Sequence, residues 1–142
     1  MIIVYKKPLL AFLSVLILMA YFLSLAKEED GAQVSILKPL DGEVVNQTFR
    51  VKFDIKHFDL APAGTYKINT GHHHLIIDAE LPNLDSPIPS NSNYLHFGKA
   101  QEYTDITLLP GKHTLQLLLG DGNHMPHEKP IYSEPIEIEV KP

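Results

Sequence analysis

A period of two in the apolar residues constrains the fold of this chain more than any other feature. The clearest case is residues 48–56, where every second side chain is apolar: Phe49, Val51, Phe53 and Ile55. Successive side chains point to opposite faces of a β-strand. One face of this segment is therefore apolar and the other charged, which predicts a strand with one buried face.

Further segments have a similar strand pattern, and turn sequences separate several of them. No segment has the 3.6-residue period of a long amphipathic helix, so the sequence predicts an all-β, immunoglobulin-like antiparallel β-sandwich. A small closed barrel is the alternative. Two longer connections, residues 58–70 and 80–95, are predicted as loops, and the second is proline-rich. The other predicted strands are Gln33–Lys38, His72–Asp78, Tyr103–Leu109, His113–Leu119 and Glu134–Val140.

The N-terminal segment has the composition of a targeting signal. Lys6 and Lys7 precede an uncharged, mostly apolar stretch, residues 8–26, which ends in the small-x-small sequence Ser24-Leu25-Ala26. This order is typical of a signal peptide that is cleaved after Ala26. The length also suits an uncleaved anchor in the inner membrane. In either case we expect an exported protein, periplasmic or extracellular.

The chain length allows one domain after this segment. We therefore predict residues 1–26 as a signal peptide or membrane anchor, residues 27–32 as a short linker, and residues 33–142 as a single β-sandwich domain. The domain is predicted to begin at residue 33 because the first segment with strand-like alternation begins at Gln33.

Composition excludes several classes of function. The chain has no cysteine, which removes disulfides, thiolate zinc sites, blue-copper centres and thiol nucleophiles. A bound metal must then have nitrogen and oxygen ligands. The chain carries 12 Lys and Arg against 17 Asp and Glu, so we expect no nucleic-acid partner, and contact with a membrane only through the N-terminal segment.

Eight histidines point to metal chemistry, because imidazole binds copper and zinc well. In the strand that begins with the histidine triplet, His73 shares a face with Leu75 and Ile77, whereas His72 and His74 share the other. We expect His73 to be a core-edge residue fixed by a hydrogen bond. His72 and His74, with Cα atoms about 6 to 7 Å apart, are the better ligand pair.

Two loops carry further candidate ligands. His96 ends the proline-rich connection, and His124 and His127 lie in a turn-rich segment at the end of a strand. The loops of such sandwiches often place binding groups. If both loops reach the triplet strand, His72, His74, His96, His124 and His127 form one nitrogen-rich site. The sequence then predicts binding of a divalent transition metal, copper or zinc, for storage, buffering or delivery.

The alternative gives the histidines a structural role. His113 alternates with the leucines that follow it and is expected to point inward, and His57 is expected at the surface. The protein is then a non-catalytic structural or interaction module of the cell envelope, in which the histidines form an internal hydrogen-bond network and the partner is another envelope protein.

An enzymatic activity is not expected. No serine has the glycine context of a nucleophile elbow, and the glycines lie in turns between strands, where they do not form a phosphate-binding loop. A hydrolase with a histidine-bound metal is a minor alternative.

The ordered motifs of this chain resemble a family of small exported bacterial domains of unknown function. The motifs cover most of residues 37–140, and the resemblance implies an exported, mostly β domain with histidines as its hallmark. Ala100 stands where the family pattern predicts a second glycine. The motifs are GHHHLIID at residues 71–78, HFGKA at 96–100, LLPGKHTLQLLLGD at 108–121, HMPH at 124–127 and SEPIEIEV at 133–140.

Overall fold

The computed structural model describes residues 31–142, and the regular structure of this part of the chain consists of nine β-strands. Thr48–Lys56 is observed with the bounds that its alternation predicts. A short additional strand lies within the loop predicted at 58–70, and another begins at the end of the loop predicted at 80–95. The strands are β1 (Gln33–Lys38), β2 (Val44–Val45), β3 (Thr48–Lys56), β4 (Asp59–Leu60), β5 (Thr70–Ile77), β6 (Tyr94–His96), β7 (Tyr103–Thr107), β8 (Gly111–Gly120) and β9 (Ile136–Val140).

The strands form two sheets, which confirms the predicted immunoglobulin-like β-sandwich. The smaller sheet has the order β1-β3-β7, and the larger has the order β2-β9-β8-β5, with β4 and β6 both paired to β5. The long pairs are antiparallel as predicted, whereas the two-residue strands β2 and β4 pair in parallel with β9 and β5. Gly31–Pro142 is one compact unit.

The main core lies between the two sheets. Val51 and Phe53 of β3 belong to one buried cluster with Leu75 of β5 and with Leu115 and Leu117 of β8. The three leucines are 0% exposed. Burial of each such side chain contributes roughly 1.5–3 kcal/mol to folding, so this cluster fixes how β5 and β8 lie against the smaller sheet.

A second apolar cluster covers the outer face of the larger sheet. Ile76 of β5 and Leu118 of β8 pack there with Ile88 of the proline-rich connection. The connection is tied to the sheet by a hydrogen bond from the side-chain amide of Asn93 to the Ile77 carbonyl, 2.8 Å. As a result, both faces of β5 are covered and all of its residues are buried.

The predicted signal peptide or anchor, residues 1–26, lies outside the described residues, as does most of the predicted linker. Within residues 31–142, no helix is long and apolar enough to cross a membrane.

The packing of the core predicts how far a cavity would lower the free energy of unfolding. Leu117→Ala is expected to lower the free energy of unfolding by about 2–5 kcal/mol, because the site is fully buried and cannot collapse easily. Leu109→Ala is the matched control, because Leu109 is 79% exposed, and it should change stability by less than about 0.5 kcal/mol. Urea denaturation of both variants measures the difference, and equal costs would contradict the assignment of Leu117 to the core.

Candidate metal centre

Strand pairing brings three histidines to the outer face of the larger sheet. His72 and His74 point to this face because they alternate with His73, which points into the core. β6 pairs antiparallel with β5 and places His96 directly opposite His74. Residues opposite each other in antiparallel strands share a face, and the rings of His74 and His96 have centroids 5.2 Å apart.

A tight turn after β8 adds His124. The Oδ1 atom of Asp121 accepts hydrogen bonds from the backbone N–H groups of Asn123 and Met125, at 2.7 and 2.9 Å. His124 has a positive φ of 65°, and its carbonyl accepts a hydrogen bond from the N–H of Ile88, 2.8 Å. These contacts hold the turn against the proline-rich connection, with the ring of His124 over the strand histidines.

We call His72, His74, His96 and His124 the histidine cluster. The centroids of its rings are 4.6 to 6.0 Å apart in every pair. One nitrogen each from His72, His74 and His96 lie within 4.8 Å of one another, and the Nε2 atoms of His96 and His124 are 3.1 Å apart. Tetrahedral nitrogen ligands of zinc are about 3.4 Å apart. The nitrogens of His72, His74 and His96 would therefore have to move closer together to hold one zinc ion, and His124 would have to turn toward them, because it lies outside this group of three.

Several imidazole nitrogens of the cluster are buried without a partner. Both ring nitrogens of His72 and Nδ1 of His74 have no hydrogen bond to any group in residues 31–142. Buried polar atoms are almost always hydrogen-bonded, and each one left unsatisfied costs about 1–3 kcal/mol. An ion coordinated by these rings would use lone pairs that the fold leaves without a partner.

The environment keeps the buried rings neutral at physiological pH. The pKa of His72 is lowered to about 4, first by burial and then by the charges of His96 and His124, against a smaller opposing effect of Asp121. Burial likewise lowers the pKa of His74 to about 3, helped by the three neighbouring histidines. The pKa of His96 is also lowered, by burial and by His124. Neutral imidazole is the form that binds metals.

The histidine cluster is buried on the side of β5 and open to solvent on the side of His96. His72 and His74 are 0% and 1% exposed, whereas His96 is exposed. A pocket of about 230 Å³ opens beside His74, His96 and His124. Its remaining wall is formed by four residues of the two covering segments: Pro87, Ile88, Ser90 and Asn123.

Two glycines make room for the imidazole rings because they have no side chain. A Cβ atom on Gly98 would lie 2.5 Å from Nε2 of His96, and one on Gly120 would lie 2.8 Å from Cε1 of His74. Either atom would displace an imidazole of the cluster. These glycines, with Asp121, position the site, and the sequence shows them only as turn residues.

The fifth predicted ligand, His127, lies apart from the cluster. Its ring packs edge-on against Phe58 with centroids 4.9 Å apart, and its Nε2 lies 2.9 Å from the point where a Cβ of Gly71 would be. Gly71 alternates with His72, so this point is on the opposite face of β5. The structure therefore brings together four of the five predicted ligands.

Two other histidines have structural contacts. The ring of His73 packs against Phe53 with centroids 4.9 Å apart, and its Nδ1 is 3.1 Å from the carbonyl oxygen of Gln101. This confirms the hydrogen bond predicted for His73. Nδ1 of His113 is 2.6 Å from Oδ2 of Asp78. Burial alone would lower the pKa of His113, but its hydrogen bonds and the charge of Asp78 outweigh burial and raise the pKa.

The fold and the cluster define the class of protein: an immunoglobulin-like β-sandwich in which histidines from two strands and one turn converge on the outer face of a sheet. The chain belongs to the family described as Domain of unknown function (DUF4399), whose model matches residues 51–141. This confirms the predicted membership of a family of unknown function. The ordered histidine motifs of that family stay a prediction.

Other known proteins add little to this assignment. No curated protein matches the chain in sequence. An endo-β-1,4-mannanase from Thermotoga petrophila is 12% identical with a TM-score of 0.48; the similarity covers 85% of this chain and only 22% of the mannanase. The fibronectin(III)-like modules of Clostridium thermocellum CbhA are 12% identical with a TM-score of 0.37, over 77% of this chain and 94% of theirs. With TM-scores below 0.5, neither similarity bears on function.

The depressed pKa values predict that acid destabilises the metal-free protein. The unfolded chain takes up protons on His72 and His74 near their ordinary pKa of 6.5, whereas the folded protein does so only near 4 and 3. The free energy of unfolding should therefore fall as the pH drops from about 6.5 toward 4. His113, whose pKa is raised, acts in the opposite direction, being stabilising below its unfolded pKa.

Urea denaturation between about pH 7 and pH 4.5 tests this linkage. His74→Gln should show a shallower loss of stability in acid, because glutamine does not titrate. His57→Gln is the matched control, because His57 is exposed and lies outside the cluster, and it should keep the wild-type slope. A wild-type stability that does not change over this range would contradict the burial of neutral imidazoles.

Proposed function

We propose that this protein binds one divalent transition-metal ion, copper or zinc, in the histidine cluster, and that it stores, buffers or delivers that ion outside the cytoplasm. One arrangement carries the proposal: three imidazoles, two buried and one exposed, have nitrogens within 4.8 Å of one another, and the two buried rings have nitrogens without a partner in residues 31–142. The N-terminal sequence supports export.

The donor set favours copper or zinc over magnesium and calcium. Imidazole nitrogen suits zinc, copper and nickel, whereas magnesium and calcium need oxygen ligands. The group of ligand atoms contains only histidines, and the chain has no cysteine. Copper(II) binds such nitrogen sites most tightly among the divalent first-row metals, so metal supply in the compartment decides which ion is carried.

The shape of the site supports exchange of the ion. His72 and His74 are buried on β5, whereas His96 on β6 is exposed and His124 on the turn is partly exposed. An ion can enter and leave from the side of His96 without unfolding of the sandwich. A purely structural metal is normally closed off by its ligands. We therefore propose a carrier or buffer over a purely structural metal site.

A second candidate function is the interaction module of the cell envelope. It is favoured by the histidines that lie outside the cluster, since His73 contacts the Gln101 carbonyl and His113 contacts Asp78. These two rings serve structure. His72 does not fit such a network, because neither of its ring nitrogens has a partner in residues 31–142.

Calorimetric titration of the purified full-length chain with Cu(II) and with Zn(II) tests the metal proposal. We expect binding of one ion per chain. The double variant His72→Ala/His74→Ala should weaken binding by more than about 100-fold, because it removes both buried ligands. Loss of a residue that only orients a metal ligand costs up to about 100-fold in affinity, and loss of two ligands should cost more.

The control for the titration is His57→Ala, which removes an exposed histidine outside the cluster and should leave the affinity unchanged. His127→Ala should also keep most of the affinity, because His127 packs against Phe58. Wild-type binding no tighter than that of the double variant would refute a metal site in the cluster and favour the interaction module.

A further inference from the structure

The pocket beside the histidine cluster opens onto the ligand atoms themselves. Three of its seven lining residues are the cluster histidines His74, His96 and His124, and the opposite wall consists of Pro87, Ile88, Ser90 and Asn123. An ion held by the cluster would therefore face the pocket on one side. Copper(II) and zinc both accept a fifth ligand in addition to four nitrogens.

The charge of a bound ion is not balanced by the residues around it. Imidazoles are neutral ligands, so a divalent ion in the cluster keeps its full charge. The pocket wall described within residues 31–142 contains no Asp, Glu, Lys or Arg. A buried charge without a partner is costly, and an anionic ligand on the ion would reduce this cost.

The carboxylate of Asp121 influences His72 electrostatically and raises its pKa. Its Oδ1 already accepts two backbone hydrogen bonds in the turn that carries His124. Asp121 does not line the pocket. It positions a ligand and contributes charge at a distance, and the open side of the ion is left to a group from solution.

We propose that the metal ion in the histidine cluster binds one small monoanion from solution, which occupies the pocket between Ser90 and His96. This inference rests on the proposed function. The pocket, at about 230 Å³, is smaller than the roughly 300–1,000 Å³ of sites for drug-sized molecules and has room for a small anion such as azide, chloride or bicarbonate. Ser90 and Asn123 supply hydrogen-bond donors at the wall.

Azide titration of the Cu(II)-loaded full-length chain tests the inference, because azide bound to Cu(II) gives a charge-transfer absorption band. The ionic strength is held constant with perchlorate, which coordinates weakly. We expect a saturable band with one azide per copper. Ser90→Phe places a ring in the pocket and should weaken azide binding by at least about tenfold; Cu(II) affinity is measured separately in perchlorate for each variant. Ser92→Phe places the same ring on the same connection outside the pocket and should leave both affinities unchanged.

The outcomes separate this inference from the proposed function. Failure of the wild type to bind either Cu(II) or Zn(II) would refute the proposed function and, with it, the anion site. Stoichiometric Cu(II) binding without a saturable azide band would overturn only the anion site. Equal azide affinity in wild type and Ser90→Phe would overturn the pocket as its location. If Ser90→Phe loses its β-sheet circular dichroism, the smaller Ser90→Leu replaces it in the same comparison.

Discussion

Burial of β5 on both faces is the constraint on which the rest of the structure depends. Leu75 and Ile77 fill the core between the sheets on one side, while Ile76 packs against Ile88 of the proline-rich connection on the other. A strand with period-two alternation normally leaves one face in water. Here the second face is covered as well, so the histidines at the start of the strand are removed from solvent together with the apolar residues.

Removal from solvent gives these histidines their chemistry. A buried imidazole loses the hydration that stabilises its charged form, so the pKa values of His72 and His74 fall to about 4 and 3. The rings stay neutral, and several of their nitrogens have no hydrogen-bond partner within residues 31–142. Burial of these nitrogens therefore lowers the free energy of unfolding of the metal-free protein, and metal coordination would offset this loss. His96 and His124 complete the ring of donors from a neighbouring strand and a turn, where exchange with solvent is possible.

Much of the fold follows from local sequence, because alternation over residues 48–56 and 136–140 reports which face of each strand is buried. Side-chain alternation along the histidine strand likewise places His73 on the opposite face from His72 and His74. The burial of His72 and His74 could not be predicted in this way, since the path of the covering connection depends on long-range contacts such as that of Asn93 with Ile77. Likewise, His124 and His127 occupy the same loop, and only tertiary packing directs one to the cluster and the other to Phe58.

Anomalous X-ray diffraction from crystals of the zinc-loaded protein is the most direct test of the central claim, that four histidines on the outer face of the larger sheet hold one ion. The account predicts a single strong zinc peak about 2.0–2.1 Å from nitrogens of His72, His74 and His96, with His124 turned toward it. A peak at another group of side chains, or clear density for the cluster histidines with no zinc among them, would contradict it.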